Sequence, residues 1–352
     1  MERAAMATKR DPECSVGELE LPGRRRSRLV SLRDDAHGVR VAVAPAAGGE
    51  IASMRTRIRG RWRELLYRAL DYQNAPPDGF NGRAPLLWPA VGRFHTIEQI
   101  ERWRVTGRKP KALRYRARGR VYSMRIHGFA RDMPWALDDC GADGDSAWAT
   151  CSLRNSAETQ KIYPFKFGLK VTHTLRDGAV ISRYEVEAGD NDIEMPFCIG
   201  NHISFRLPFT HKGSYDACMI RTPGRRRMRV NELSLTDDQQ TPVDLSEAVP
   251  LSSGVYDDTV ITGYRRRNSW AEVIDPESLR VKITQAEKRV RGRFTGREQD
   301  TIFVFWGKPQ YDQLCPEPWM GWLNGLNTGK GVLTLAPGAR FIWELRVEFA
   351  AP

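Results

Sequence analysis

The stretch Ala179-Val-Ile-Ser-Arg-Tyr-Glu-Val-Glu187 sets apolar Val180, Tyr184 and Val186 against charged Arg183, Glu185 and Glu187 at a spacing of two. A period of two sends successive side chains to opposite faces, which predicts a half-buried β-strand. The theme recurs on both sides, in Val39-Arg-Val-Ala-Val43, Val121-Tyr-Ser-Met-Arg-Ile126, Ile193 to Phe205, Thr301-Ile-Phe-Val-Phe-Trp306 and Gly331-Val-Leu-Thr-Leu335, with Gly, Pro, Asn and Asp between the runs. β-Branched and aromatic runs punctuated in this way read as strands and turns. Pro337-Gly338 reads as a hairpin turn joining the last run to Ala339 through Phe349. Strands do not alternate with long helical segments as a parallel α/β sheet requires, so an all-β sandwich is expected.

One stretch dissents. Trp62, Leu65, Leu66, Ala69 and Leu70 fall at i, i+3, i+4, i+7 and i+8, which is helical spacing. Residues 213–253 are the most polar and turn-rich and read as long excursions on a sheet rather than a second domain. Residues 1–28 are arginine-rich without sustained periodicity and read as a loose tail or an added edge segment, leaving 29–352 as one domain.

The chain has 352 residues, 41% hydrophobic and 28% charged, which is enough apolar material for a large core and excludes disorder throughout. Its apolar runs stop short of the roughly 18 residues a spanning helix needs, so a soluble protein with no membrane partner is expected. Met1 to Pro12 is charged and lacks the apolar core of a secretory signal, which predicts a cytoplasmic address. Six scattered cysteines (Cys14, Cys140, Cys151, Cys198, Cys218, Cys315) include no Cys-x-x-Cys pair, arguing against a structural zinc site and a small disulfide framework. The formal charge of +12 would favour any polyanion. It is carried in runs (Arg24–Arg26, Arg225–Arg227, Arg265–Arg267) and in the alternation Arg289, Arg291, Arg293, which suit solvated strand faces. No nucleic-acid-binding motif accompanies them, so no nucleic-acid partner is expected.

The sequence has no Gly-rich phosphate loop opening a helix, no Gly-x-Ser-x-Gly elbow and no His-Glu-x-x-His. Histidine and carboxylate chemistry is what is left. His37, His95, His173 and His211 have turn, loop or strand contexts that read as structural or exposed. In Met195 to Arg206, the even positions Cys198, Gly200, His202, Ser204 and Arg206 would share one small polar strand face, opposite Phe197, Ile199, Ile203 and Phe205. Gly200 would leave room for a ligand near His202, although a histidine on a wet sheet face gives the same pattern. His127, Phe129 and Arg131 would point together if their strand continues, a set suited to a polyhydroxylated ring; a capped loop is the alternative. Glu317 stands between Pro316 and Pro318, where the residue before proline is held extended, with Trp319 and Trp322 near enough to exclude water. Burial beside aromatics would raise its pKa towards a general-base value; an exposed turn glutamate is the alternative.

Together, Arg83-Ala-Pro-Leu-Leu-Trp-Pro-Ala-Val-Gly-Arg-Phe94, His127-Gly-Phe-Ala-Arg-Asp132, Glu158-Thr-Gln-Lys-Ile-Tyr-Pro-Phe-Lys-Phe167, Gly200-Asn-His-Ile-Ser-Phe205 and Glu317-Pro-Trp319 resemble the aldose 1-epimerase (galactose mutarotase) family in its bacterial branch. The blocks keep the family's order from about Val39 to Phe349. The resemblance implies a large antiparallel β-sandwich, the galactose mutarotase-like supersandwich, with a sugar cleft on one sheet and neither metal nor organic cofactor. It implies Glu317 as general base, His202 as general acid, and His127 with Arg93 as sugar-binding neighbours. Arg131 is a further candidate for substrate contact, and Asp258 in Tyr256-Asp-Asp-Thr259 a counterpart of the family's hydroxyl-binding aspartate. It also implies that Trp62 to Tyr67 is strand. Ile203 departs from the family's Gly-x-His-Pro pattern.

The implied activity is interconversion of the α and β anomers of a hexose. The positive charge and Arg83, Arg93 and Arg131 motivate a hexose phosphate as substrate instead. A carbohydrate-binding or regulatory module without turnover is a third reading, and two His with one carboxylate as iron or zinc ligands a fourth. No oligomeric state follows from the sequence.

Overall fold

The computed structural model describes residues 11–22, 25–72, 81–265, 268–291 and 301–352. Residues 1–10 of the charged start, together with Arg24, Arg266, Arg267, Arg293 and the side chains of Arg289 and Arg291, lie outside the described residues. Within the runs, Arg25, Arg26, Arg225 and Arg226 are exposed, as solvated charge should be.

The alternating stretch at Ala179 forms the strand Ala179–Ala188. Its even face, including Val180, Tyr184 and Val186, is buried. It lies inside an antiparallel sheet of nine strands among the described residues, between Phe167–Arg176 and Arg340–Ala350. A second sheet of eight strands carries Thr301–Lys308 and Gln313–Met320. A third, of five, is a meander from Glu13–Leu21 to Arg61–Glu64. The inner face of the nine-stranded sheet meets Phe303 and Phe305 of the second and Val30, Leu32 and Val41 of the third in one contiguous apolar core. This is the sheet-on-sheet packing of a β-sandwich, in which alternating strands bury one face each.

Four expectations are corrected here. Residues 13–21 and 25–28 are not loose. Glu13–Leu21 pairs with Arg25–Asp34 in unbroken register, with Glu18 opposite Arg28 and Glu20 opposite Arg26. The segment forms the added edge. The helical spacing at Trp62 gives no helix, because Arg61–Glu64 is a strand. The strand implied through Tyr67 stops at Glu64, beyond which only Leu66 bridges, to Phe205. Pro337-Gly338 does make the turn, Ala339 N–H donating to Ala336 O at 2.9 Å. The strands on either side then diverge: Leu333–Leu335 pairs with Met195–Phe197, whereas Arg340–Ala350 pairs with Ala179–Ala188 and Leu279–Arg291. Residues 213–253 supply edge strands to both large sheets, Met219–Arg221 and Val249–Pro250 to one, Arg226–Val230 and Thr236–Pro242 to the other. Among the described residues no helix is long and apolar enough to cross a membrane.

Candidate active site

Glu317 sits in the strand Gln313–Met320, directly opposite Val304, with Pro316 and Pro318 opposite Phe305 and Phe303. Directly opposed residues share a face. The prolines therefore join the two phenylalanines on the core side, and Glu317 faces the other way with Val304. On the other edge of this strand the partner is split: Ile199–Asn201 pairs near Trp319, and Phe205–Arg206 pairs at Leu314 and Gln313. Residues 202–204 span the gap between them, and prolines have no N–H to leave unpaired there. The segment Met195 to Arg206 is thus three short strands rather than one, the first paired with Leu333–Leu335 and the other two with Gln313–Met320. Its odd side chains are buried as read, but Cys198, His202 and Ser204 are buried too, so the face is not wet. The space at Gly200 is taken by Trp319, whose ring would stand 2.5 Å from an added Cβ. Ile203, where the family has proline, packs in the core.

His202 Nε2 lies 3.3 Å from Glu317 Oε1. Glu317 Oε2 accepts from the Trp319 indole N–H at 3.2 Å. The two side chains are only 6% and 2% exposed. Burial pushes the Glu317 carboxyl well above its ordinary value; the Trp319 bond and the Arg131 charge oppose this, and the charge of Asp258 adds to it. Burial, joined by Arg131, pulls His202 down to about 3. Both shifts penalise charge, so the pair is arranged to share a single proton.

His127 is not on a continuing strand. It has φ of 66° in the turn Arg125–Gly128, closed by Gly128 N–H to Arg125 O at 3.1 Å. Its carbonyl accepts from Trp88 N–H at 3.2 Å and its N–H donates to Gly92 O at 3.1 Å. Its Nδ1 accepts from Gly92 N–H at 3.0 Å. A nitrogen accepting that bond carries no proton, which leaves Nε2–H as a donor. Burial, then the charges of Arg131, His202 and Arg93, hold the ring neutral far below the ordinary histidine value. The His127 and His202 rings meet edge to face, with centroids 5.1 Å apart.

These groups open onto a cleft of about 540 Å³. Arg93, Arg131 and Asp258 line it with His127, His202 and Glu317, so the structure brings together all six residues expected from the sequence. Partial desolvation and neighbouring Asp257 raise the Asp258 carboxyl, which Arg93 opposes. Arg131 donates to Ile126 O at 3.3 Å. Phe129 does not share the cleft. It packs against Trp88 in the core at 5.6 Å. Arg83 is also elsewhere, buried against Glu50 at 2.6 Å and Tyr72.

Trp306, Lys308 and Arg125, not expected from the sequence, also line the cleft. Trp306, 5.8 Å from the His202 ring, takes the place expected for Trp322. The signal was the period of two in Thr301–Lys308, which puts Val304, Trp306 and Lys308 on the face of Glu317 once the register is known.

The sequence profile of aldose 1-epimerase matches residues 29–348, nearly the whole chain. The chain belongs to the aldose 1-epimerase family. The LacX protein encoded on the chromosome of Lactococcus lactis is 26% identical over 145 residues, 40% of this chain and 42% of that protein. The match therefore spans less than half the length of this curated relative. A galactose mutarotase related enzyme from Lactobacillus acidophilus superposes with a TM-score of 0.70 at 20% identity, covering 96% of this chain and 97% of that one. A galactose mutarotase-like protein from Clostridium acetobutylicum gives 0.73 at 14%, covering 97% and 99%. These likenesses show a galactose mutarotase-like fold for this aldose 1-epimerase family member.

Proposed function

We propose that the protein interconverts the α and β anomers of a hexose. Glu317 takes the proton of the C1 hydroxyl as general base, and His202 delivers one to the ring oxygen as general acid. The supporting observation is the 3.3 Å approach of His202 Nε2 to Glu317 Oε1 at the buried end of a walled cleft. Opening a hemiacetal removes a proton from one oxygen and adds one to its neighbour, so a pair sharing one proton completes the step with no net change of charge. An imidazolium at His202 needs an anion beside it, which Glu317 supplies, and Arg131 favours that anion. The open aldehyde turns about C1–C2 and recloses with the two roles reversed. His127 donates Nε2–H to a sugar hydroxyl, while Arg93, Arg131 and Asp258 bind others. Trp306 and Trp319 exclude water.

The test is polarimetry of freshly dissolved α-glucose and α-galactose. Glu317→Gln, nearly isosteric in its buried site, keeps the circular dichroism spectrum and slows anomer exchange about 10²- to 10⁴-fold, the usual worth of a positioned acid or base. An unchanged rate removes Glu317 from the mechanism. Sugar binding by the wild-type protein with no acceleration would favour a non-catalytic carbohydrate-binding module.

One observation favours a phosphorylated substrate as a second reading. Arg93, Arg125, Arg131 and Lys308 line the same cleft, against the carboxyls of Asp258 and Glu317. A higher kcat/KM for glucose 6-phosphate than for glucose supports it, and no preference rejects it.

A further inference from the structure

A second cavity, of about 850 Å³, lies among the segments Trp62 to Arg68, Arg206 to Tyr215 and Tyr311-Asp312. It shares no lining residue with the sugar cleft. Three guanidiniums line it, those of Arg63, Arg68 and Arg206. Among the described residues, the side chains of Arg63 and Arg206 make no hydrogen bond or ion pair. The Arg68 guanidinium has one ion-pair partner among the described residues, Asp71 at 3.6 Å. The Nε atoms of Arg63 and Arg68 are buried without a partner. The Tyr67 ring holds two of the three groups near one another, with Arg206 at 5.5 Å and Arg68 at 5.9 Å from its centroid.

Of the two carboxyls on the lining, one is committed elsewhere. Glu64 is committed to the Ser53 hydroxyl, to Met54 N–H at 2.9 Å, to Leu66 N–H at 3.1 Å and to Arg55 at 3.2 Å. Asp312 is the other carboxyl on the lining. Guanidiniums gathered around one hollow repel one another, and their unused forked donors match a tetrahedral oxyanion. The hydroxyls of Thr210 and Ser214 and the His211 ring add further hydrogen-bonding groups on the same wall. The volume exceeds that of a phosphate alone, and Tyr67 and Tyr311 offer aromatic surface to whatever carries it.

The geometry points to a site for the phosphate of a small phosphomonoester, separate from the sugar cleft and held by Arg63, Arg68 and Arg206. Calorimetric titration of the full chain with inorganic phosphate at low ionic strength tests it. The wild-type protein binds one phosphate. Arg63→Ala/Arg206→Ala binds at least about tenfold more weakly while mutarotation is unchanged, since a charge-assisted fork is worth about that factor or more. Arg63→Lys/Arg206→Lys keeps the charge and loses the fork, so its affinity falls between the two; it also serves if the alanine variant does not fold. Arg93→Ala/Arg125→Ala, altered in the sugar cleft, retains phosphate binding. The proposal is overturned by no phosphate binding in the wild-type protein, by equal affinity in the Arg63/Arg206 variants, or by a loss confined to the Arg93/Arg125 variant.

Discussion

Nδ1 of His127 is committed to the Gly92 amide at 3.0 Å, so the ring has a proton to offer only at Nε2. Protonating it would break that bond and put a charge beside Arg131 and Arg93 in a buried site. The expected outcome is that His127 stays neutral through the range near pH 6.5 where an ordinary histidine takes up its proton. Long-range ¹H–¹⁵N NMR should report the Nε2–H form throughout, and an imidazolium signal for His127 near pH 6 would refute the assignment. His202 also resists charging, but its proton is coupled to Glu317, so an apparent value in a rate profile belongs to the pair. His127, His202 and Glu317 were legible in the sequence because each lies in a short block that resembles the family, although the strands read through His127 and His202 gave way to a turn and a break between strands. Trp306 and Lys308 were not, because their place depends on which strand pairs beside Glu317, and only the register of Thr301–Lys308 against Gln313–Met320 settles that.

The turn Arg125–Gly128 is the element that aims His127, and its last residue leaves no choice of side chain. An added Cβ at Gly128 would stand 2.1 Å from the Trp88 carbonyl oxygen, at a φ of 77°. That carbonyl also accepts from Phe129 and Ala130 N–H at 3.0 and 3.2 Å, so it is not free to move. Gly128→Ala should therefore cost about 2–4 kcal/mol and displace His127, lowering both the thermal midpoint and the mutarotation rate. Gly119 has a similar φ of 73° but open space around it, so Gly119→Ala should cost only about 1 kcal/mol and leave the rate alone. Equal effects in the two variants would show that backbone strain, not the Trp88 contact, governs the turn. The same contrast between local and pairing information explains the first strands. In Glu13–Leu21 only Leu19 and Leu21 are buried, so alternation is faint there. What makes it a strand is its register with Arg25–Asp34, where acidic and basic residues oppose one another. The Pro337-Gly338 turn was legible for the converse reason, being local, while the partners of its two arms were not.

Across the whole molecule, His173 joins the nine-stranded sheet to the five-stranded one. It lies in Phe167–Arg176 of the nine-stranded sheet, and its Nε2 donates to the Gly49 carbonyl, between two strands of the five-stranded sheet, at 2.8 Å. Its Nδ1 accepts from the Ser182 hydroxyl at 2.8 Å. Both ring nitrogens are thus satisfied in the neutral form, and the ring is fully buried. Burial lowers its pKa to about 4, with the Gly49 bond opposing. The unfolded chain, whose histidine titrates near 6.5, therefore binds more protons than the folded one between about pH 6.5 and pH 4. The stability linked to this neutral ring is fully present above about pH 6.5 and is lost as the pH falls through that window, on the order of 3 kcal/mol in all. His127 and His202 contribute with the same sign, so the decisive quantity is a difference between proteins rather than the slope itself. His173→Gln can still donate to Gly49 but cannot titrate; it should be less stable than the wild-type protein at pH 7 and should lose less on acidification to about pH 4.5. Chemical denaturation at the two pH values measures both losses, and equal losses in the two proteins would show that the joint between these sheets does not carry the acid sensitivity.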